Sequence, residues 1–287
     1  MILHPSMRRT ARLVARSLVG AALCAITASR HSEAQDAPVG GADRLELALS
    51  ADGVITGLRN RATGLDYLAH QGPAPLLTLV SGGVRFAPTG LSRTSTKDHS
   101  TLTLRYARAG VTITVVEREA VGYTRLEITS ATPASKVDAI IWGPYPTTIR
   151  ETVGEIIGVV RDSRAAIGLQ VLNMKTLGGD LPNLEGSTWE RGIAAQPRPF
   201  GSVLQAYAIN RDRPRRVDAW GGVFKNMPVE PVAGETVVGS AIALFVSQPA
   251  EVLARLEQIE IAEQLPHPTI GGAWIKRSAI YNRSYLI

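Results

Sequence analysis

Two kinds of residue in this 287-residue chain could do chemistry on a polar ligand: tryptophans, and carboxylates that lie close together in sequence. The four tryptophans, Trp142, Trp189, Trp220 and Trp274, all fall from residue 142 onward. An exposed indole offers a flat apolar face with a hydrogen-bonding edge. Such a face stacks on the C–H side of a sugar ring while nearby polar groups hold the hydroxyls. Trp142 runs into Gly143-Pro144-Tyr145-Pro146, which sets Tyr145 beside it at a rigid turn expected at a strand end. Trp189 lies in an aperiodic stretch between Glu185 and Glu190, and Trp220 precedes Gly221-Gly222. The candidate carbohydrate contacts are therefore Trp142, Tyr145, Trp189, Trp220, Glu185 and Glu190. The same aromatics pack cores and interfaces equally well, so that alternative stays open.

Carboxylate pairs are the second option, because glycoside cleavage needs two acids roughly 5 to 10 Å apart across one bond. Glu151 and Glu155, Glu185 and Glu190, and Glu230 and Glu235 are near enough in sequence to qualify. A chain this rich in acids also produces such pairs by chance, so no catalytic residue is assigned. There is no G-x-S-x-G elbow, H-E-x-x-H pair, phosphate-binding G-x-x-x-x-G-K or G-x-G-x-x-G. His70, His99 and His267 are not spaced as ligands on one element and read as surface or loop residues. Nothing requires a cofactor. Calcium is chemically compatible with such a chain, but no motif supports it.

The N-terminus reads as an address. Met7-Arg8-Arg9-Thr10-Ala11-Arg12 is basic, Leu13 to Ala28 is mostly apolar and small, and Ser32-Glu33-Ala34 offers a cleavage site before Gln35. That order describes a secretory signal over residues 1–34 and an exported protein. The apolar run is broken by Arg16 and is shorter than the roughly 20 residues a membrane span needs. Cys24 is the only cysteine and sits inside this leader, so the mature chain would hold no disulfide, thiolate metal site or cysteine nucleophile. The leader also carries five of the 31 basic residues and one of the 25 acidic ones. The remainder has 26 basic and 24 acidic residues, a net of +2 rather than +6, which does not point to a nucleic-acid partner.

The elements that must position these residues are strands. Leu45, Leu47 and Leu49 alternate before Asp52-Gly53, a strong hairpin signal, and Val54 to Leu58 continues beyond it. Asn60 to Gly64 reads as a second turn. Thr101–Tyr106, Val111–Glu117 and Tyr123–Thr129 alternate in turn, the first two joined through Arg108-Ala109-Gly110. Val137–Trp142, Glu155–Val160, Ala166–Leu172, Val203–Ile209 and Val237–Val246 are apolar runs of strand length. Gly178 to Phe200, with three prolines, reads as a long loop. One helix is expected: Ser247 as its cap, Pro249 and Glu251 in the first turn, and a stripe of Val252, Leu253, Leu256, Ile259 and Ala262, stopped by Pro266 and Pro268. The pattern predicts an all-β protein, a large antiparallel sandwich over residues 35–265 with one short C-terminal helix. Residues 266–287 read as a linker or the start of a following domain, because the run Ser278–Ile287 is apolar where free termini are usually polar.

Several segments carry a resemblance. Asn60 to Leu68 followed by Pro75 to Leu79, Ile141 to Pro146, Ile157 to Asp162, and Leu172 to Gly179 resemble the galactose mutarotase-like supersandwich that precedes the catalytic barrel in bacterial glycoside hydrolases. His267-Pro268 through Ile287 resembles the crossing from sandwich to barrel in α-galactosidase-like proteins. The resemblance implies a carbohydrate ligand, a sandwich that braces a catalytic domain and sometimes lines its sugar site, and catalytic acids beyond Ile287. Three functions follow as expectations: a supporting or sugar-binding domain of a secreted glycoside hydrolase, a free-standing carbohydrate-binding or surface-interaction protein, or a self-sufficient sugar epimerase or lyase.

Overall fold

The alternation of Leu45, Leu47 and Leu49 builds β1 (Leu45–Leu49), which turns through Asp52-Gly53 into β2 (Ile55–Asn60). Ser50 closes the turn, its hydroxyl accepting the backbone N–H groups of Asp52 and Val54. Gly53 takes a φ of +79°, a left-handed conformation that costs glycine little. The computed structural model describes residues 43–153, 158–179, 181, 195–219 and 223–279, all within one compact unit. The expected export leader lies outside the described residues.

The protein is all-β and antiparallel. The larger sheet has the spatial order β10 (Glu151–Val153), β11 (Gly158–Arg161), β12 (Ala166–Val171), β18 (Ala241–Ser247), β8 (Tyr123–Thr132), β7 (Val111–Ala120), β6 (Ser100–Tyr106) and β5 (Gly90–Ser95). The second sheet runs β13 (Leu177–Gly178), β15 (Gly201–Ile209), β9 (Ala139–Thr147), β3 (Leu77–Ser81) and β4 (Val84–Phe86), with β14 (Ala195–Arg198) also on β15. Two further pairs are β16 (Arg215–Ala219) with β17 (Phe224–Val229), and β19 (Thr269–Ile270) with β20 (Ala273–Trp274). The strands predicted at 101–106, 111–117 and 123–129 are present in β6, β7 and β8. The stretch expected as a loop from Gly178 to Phe200 contains a strand, β14, whose pairing with β15 the local pattern did not signal.

The main core lies between the two sheets. Leu102, Leu104, Ile113, Val115, Leu126, Ile128, Ile242, Leu244 and Val246 of the larger sheet meet Leu77, Leu79, Ile140, Trp142 and Leu204 of the smaller one. The β1–β2 hairpin adds Leu45, Leu47, Ile55 and Leu58 to the same core. Burial at about 25 cal/mol per Å2 of apolar surface is what holds two such layers together. β18 is buried on both faces, since Ala241, Ala243 and Phe245 point outward under α1 (Val252–Ala262).

The helix forms with Pro249 and Glu251 in its entry turn, but without the expected Ser247 cap. Ser247 is the buried last residue of β18, and the chain enters α1 through a 3-10 turn at Pro249–Glu251 without a side-chain cap. The buried face is Val252, Arg255, Leu256, Ile259 and Glu260, while Leu253 is exposed. Beyond Pro266 the described residues of the expected linker fold back: the β19–β20 hairpin returns and buries Trp274 in the helix-side core. Among the described residues no helix is long and apolar enough to cross a membrane.

Candidate functional site

Two of the expected contacts lie deep in the sandwich. Trp142 is 0% exposed and donates its indole N–H to the Ser240 hydroxyl at 2.9 Å. Tyr145 is 1% exposed and donates its hydroxyl to the Leu76 carbonyl at 2.8 Å. Neither ring shows a face to solvent, so the alternative of core packing describes both. The turn expected at Gly143-Pro144 lies inside β9. Pairing with β3 stops at Trp142 and the register with β15 slips between Leu204 and Ala206, an irregularity that accommodates a proline lacking a ladder donor. Trp189, Trp220, Glu185, Glu190 and Glu155 lie outside the described residues. Glu151 is paired with Arg161, Glu235 lies beside Lys175, and Glu230 is exposed.

The described residues that do converge come from strand alternation on β7. Val111, Ile113 and Val115 point into the core, and the next two side chains on that face are Glu117 and Glu119. Their inward orientation follows from the register: Glu117 sits opposite Leu126 of β8 and Ser100 of β6, and Leu126 belongs to the core. Arg93 sits opposite Leu102, and Ser95 opposite Ser100, so both share this face. The inner surface of the larger sheet thus changes from apolar to polar within one residue pair. At a rise of about 3.3 Å per residue, the two carboxylates start roughly 7 Å apart along the strand.

This polar extension floors a cleft of about 480 Å3 lined by Arg93, Thr96, Lys97, His99, Glu117 and Glu119, among others. It adjoins a hollow of about 230 Å3 that shares Arg93, Glu117 and Glu119 and is walled by Arg44 and the β1–β2 hairpin. The β5–β6 turn forms one rim, where the Thr96 hydroxyl accepts the backbone N–H of His99 and lies 3.2 Å from its Nδ1. Thr124 donates to the Leu45 carbonyl and ties β1 down as the other rim.

Glu117 is the least exposed acid here, its side chain 11% accessible, and it pairs with Arg93. Burial raises its carboxyl above the usual glutamate range; the Arg93 guanidinium opposes this only in part, and Glu119 adds repulsion. Glu119 is paired with Arg44 at 2.6 Å but is itself open, 66% exposed against 13% for Arg44. The oxygens of Glu117 and Glu119 can accept from ligand hydroxyls while Arg93 and Ser100 can donate to them, as a polyhydroxylated ligand requires. Among the described residues no group of three or more His, Cys, Asp or Glu side chains is arranged to hold a metal ion.

Sequence reading missed this site, although a signal was present: Glu117 and Glu119 occupy positions where the β7 alternation calls for apolar residues. His99, expected at the surface, is on the cleft rim. His267 lies in the loop between α1 and β19, as a loop residue was expected to, but it is partly covered. It stacks on Trp274 with ring centres 5.5 Å apart and lies near Glu257 and Glu260. Lys276 joins Glu260 at 2.5 Å and sits 4.9 Å over the Trp274 ring, which pins the β19–β20 hairpin to α1. That cluster is an anchor rather than a cleft.

The chain matches no protein-family model and no curated protein.

Proposed function

We propose that this protein is an exported carbohydrate-binding β-sandwich that serves a glycoside hydrolase, with the cleft over Glu117 as its sugar-contacting face. The observation that carries the reading is the switch of the larger sheet's inner face from core leucines to Arg93, Ser95, Ser100, Glu117 and Glu119. Arg93, Ser100, Glu117 and Glu119 gather donors and acceptors along one open face, and a polyhydroxylated ligand can meet both kinds. The volume is in the range of small-molecule sites, about 300 to 1,000 Å3. The resemblance of Asn60–Leu68, Ile141–Pro146 and Leu172–Gly179 to sandwiches beside glycoside hydrolase barrels supports the same ligand class, with the barrel as partner and holder of the catalytic acids. The basic, apolar and small-residue order of the first 34 residues supports export.

The test is a glycan array probed with the exported protein and its Glu117→Ala variant. The expected result is binding of a defined subset of oligosaccharides, weakened about tenfold or more by the variant, the loss of one charge-assisted hydrogen bond. An array with no bound glycan rejects the reading. Glu117 and Glu119, two residues apart on one face of β7 and so roughly 7 Å apart along the strand, also favour a second reading, acid–base chemistry on a sugar by the sandwich itself. Turnover of a bound sugar, abolished in Glu117→Gln, would make the binding face an active site.

A further inference from the structure

Among the described residues, Arg44 is the cleft guanidinium with a buried nitrogen that lacks a hydrogen-bond partner. Its Nη1 reaches Glu119 at 2.6 Å, while Nη2 is shut off from solvent with no acceptor. A guanidinium presents paired N–H donors that match the two oxygens of a carboxylate side by side. Glu119 meets only one of the two. It is also the partner most easily displaced, because its side chain is largely in water and an exposed ion pair contributes little. Arg59 and Arg93 line the same hollow. The other acids lining it are already engaged, Glu46 beside Arg61 and Glu117 with Arg93.

We infer that the cleft takes a carboxylated saccharide, one bearing a uronic acid, whose carboxylate displaces Glu119 from Nη1 of Arg44 and, as the departing side chain uncovers Nη2, pairs with both nitrogens. This rests on the carbohydrate reading above and narrows it to a ligand class. Glu119 holds the place of the ligand carboxylate against Arg44 and swings into solvent when a uronate enters. Sugar hydroxyls then meet Glu117, Ser100 and the β5–β6 rim.

The experiment is calorimetric titration of the exported full chain with a galacturonic acid trisaccharide and with the neutral galactose trisaccharide of the same linkage. The acidic ligand should bind about tenfold or more tightly than the neutral one. Arg44→Gln should erase that preference, and Arg44→Lys should not restore it, since a lysine keeps the charge and loses the fork. Glu119→Gln should bind the uronate severalfold more tightly, a gain that a merely structural Arg44–Glu119 pair would not produce. Thermal midpoints of the variants close to wild type exclude misfolding as the cause. Equal affinity for the two trisaccharides overturns the inference while leaving the carbohydrate reading intact. So does a Glu119→Gln variant that binds the uronate no better than wild type. Absence of any glycan binding rejects the parent reading instead.

Discussion

At the scale of single residues, burial raises the carboxyls of two acids, yet they end on opposite sides of their ordinary values. Asp66 accepts the backbone N–H groups of Leu58 and Leu68 at 2.9 and 3.0 Å and the Arg59 guanidinium at 3.2 Å. Burial alone would raise its carboxyl, but those three donors outweigh it and the group sits below the usual aspartate range. Its ionised form therefore stabilises the fold above the unfolded value, near 3.9, and that contribution is lost as pH falls through the lower folded value. Asp66→Ala should cost about 1–3 kcal/mol at neutral pH by leaving two N–H groups unpaired. Urea denaturation should show this deficit narrowing at pH 3; a deficit of the same size at both pH values contradicts the assignment. Glu117 has the reverse sign: its raised carboxyl is tolerated when protonated, and stability is lost as pH rises through the folded value. Glu117→Gln should flatten the fall in melting temperature between acid and neutral pH. Trp142 gives a separate check. Trp142→Phe removes the donor to Ser240 and should lower stability by about 1–3 kcal/mol. Glycan affinity should stay unchanged, whereas a loss of binding by stably folded protein would return Trp142 to the ligand site.

At the scale of elements, the decisive contacts join strands remote in sequence. β12 and β18 lie side by side with Gly168 opposite Phe245. A Cβ at Gly168 would fall 2.0 Å from the Phe245 ring, which itself packs beneath α1. Gly168→Ala should therefore destabilise by about 1–3 kcal/mol through overpacking, measured as a shift in the denaturation midpoint at constant slope. An unchanged midpoint would mean that the ring has room to move. The helix was legible from its apolar spacing and its proline stop, including Val252, Leu256 and Ile259 of its buried face, but the charged part of that face was not. Arg255 and Glu260 are buried where charged residues would be expected in water. Glu260 can be so because Lys276, sixteen residues away on the returning chain, meets it. Periodicity records which side chains share a face; it holds no information about a partner that arrives from another element and makes burial of a charge tolerable.

At the scale of the whole molecule, alternation along the sequence determined the all-β class, most strand positions in β1, β2 and β6 to β8, and the turns at Asp52-Gly53, Asn60–Gly64 and Arg108–Gly110. These are local matters: backbone geometry at a turn and the two-residue period of a pleated strand act within a few residues, so composition and spacing carry them. Only the tertiary structure decided which strands became neighbours, that β18 lies between β12 and β8, and that both faces of β18 would be covered. The candidate cleft belongs to that second kind. Arg44, Arg93, Glu117 and Glu119 span 75 positions and come from three separate segments, brought together by pairing across the sheet and by the hairpin laid over it. Trp142 and Tyr145 illustrate the converse. Their chemistry suited a ligand face as well as a core, and the choice rested on the second sheet closing over them, a burial that no local pattern encodes.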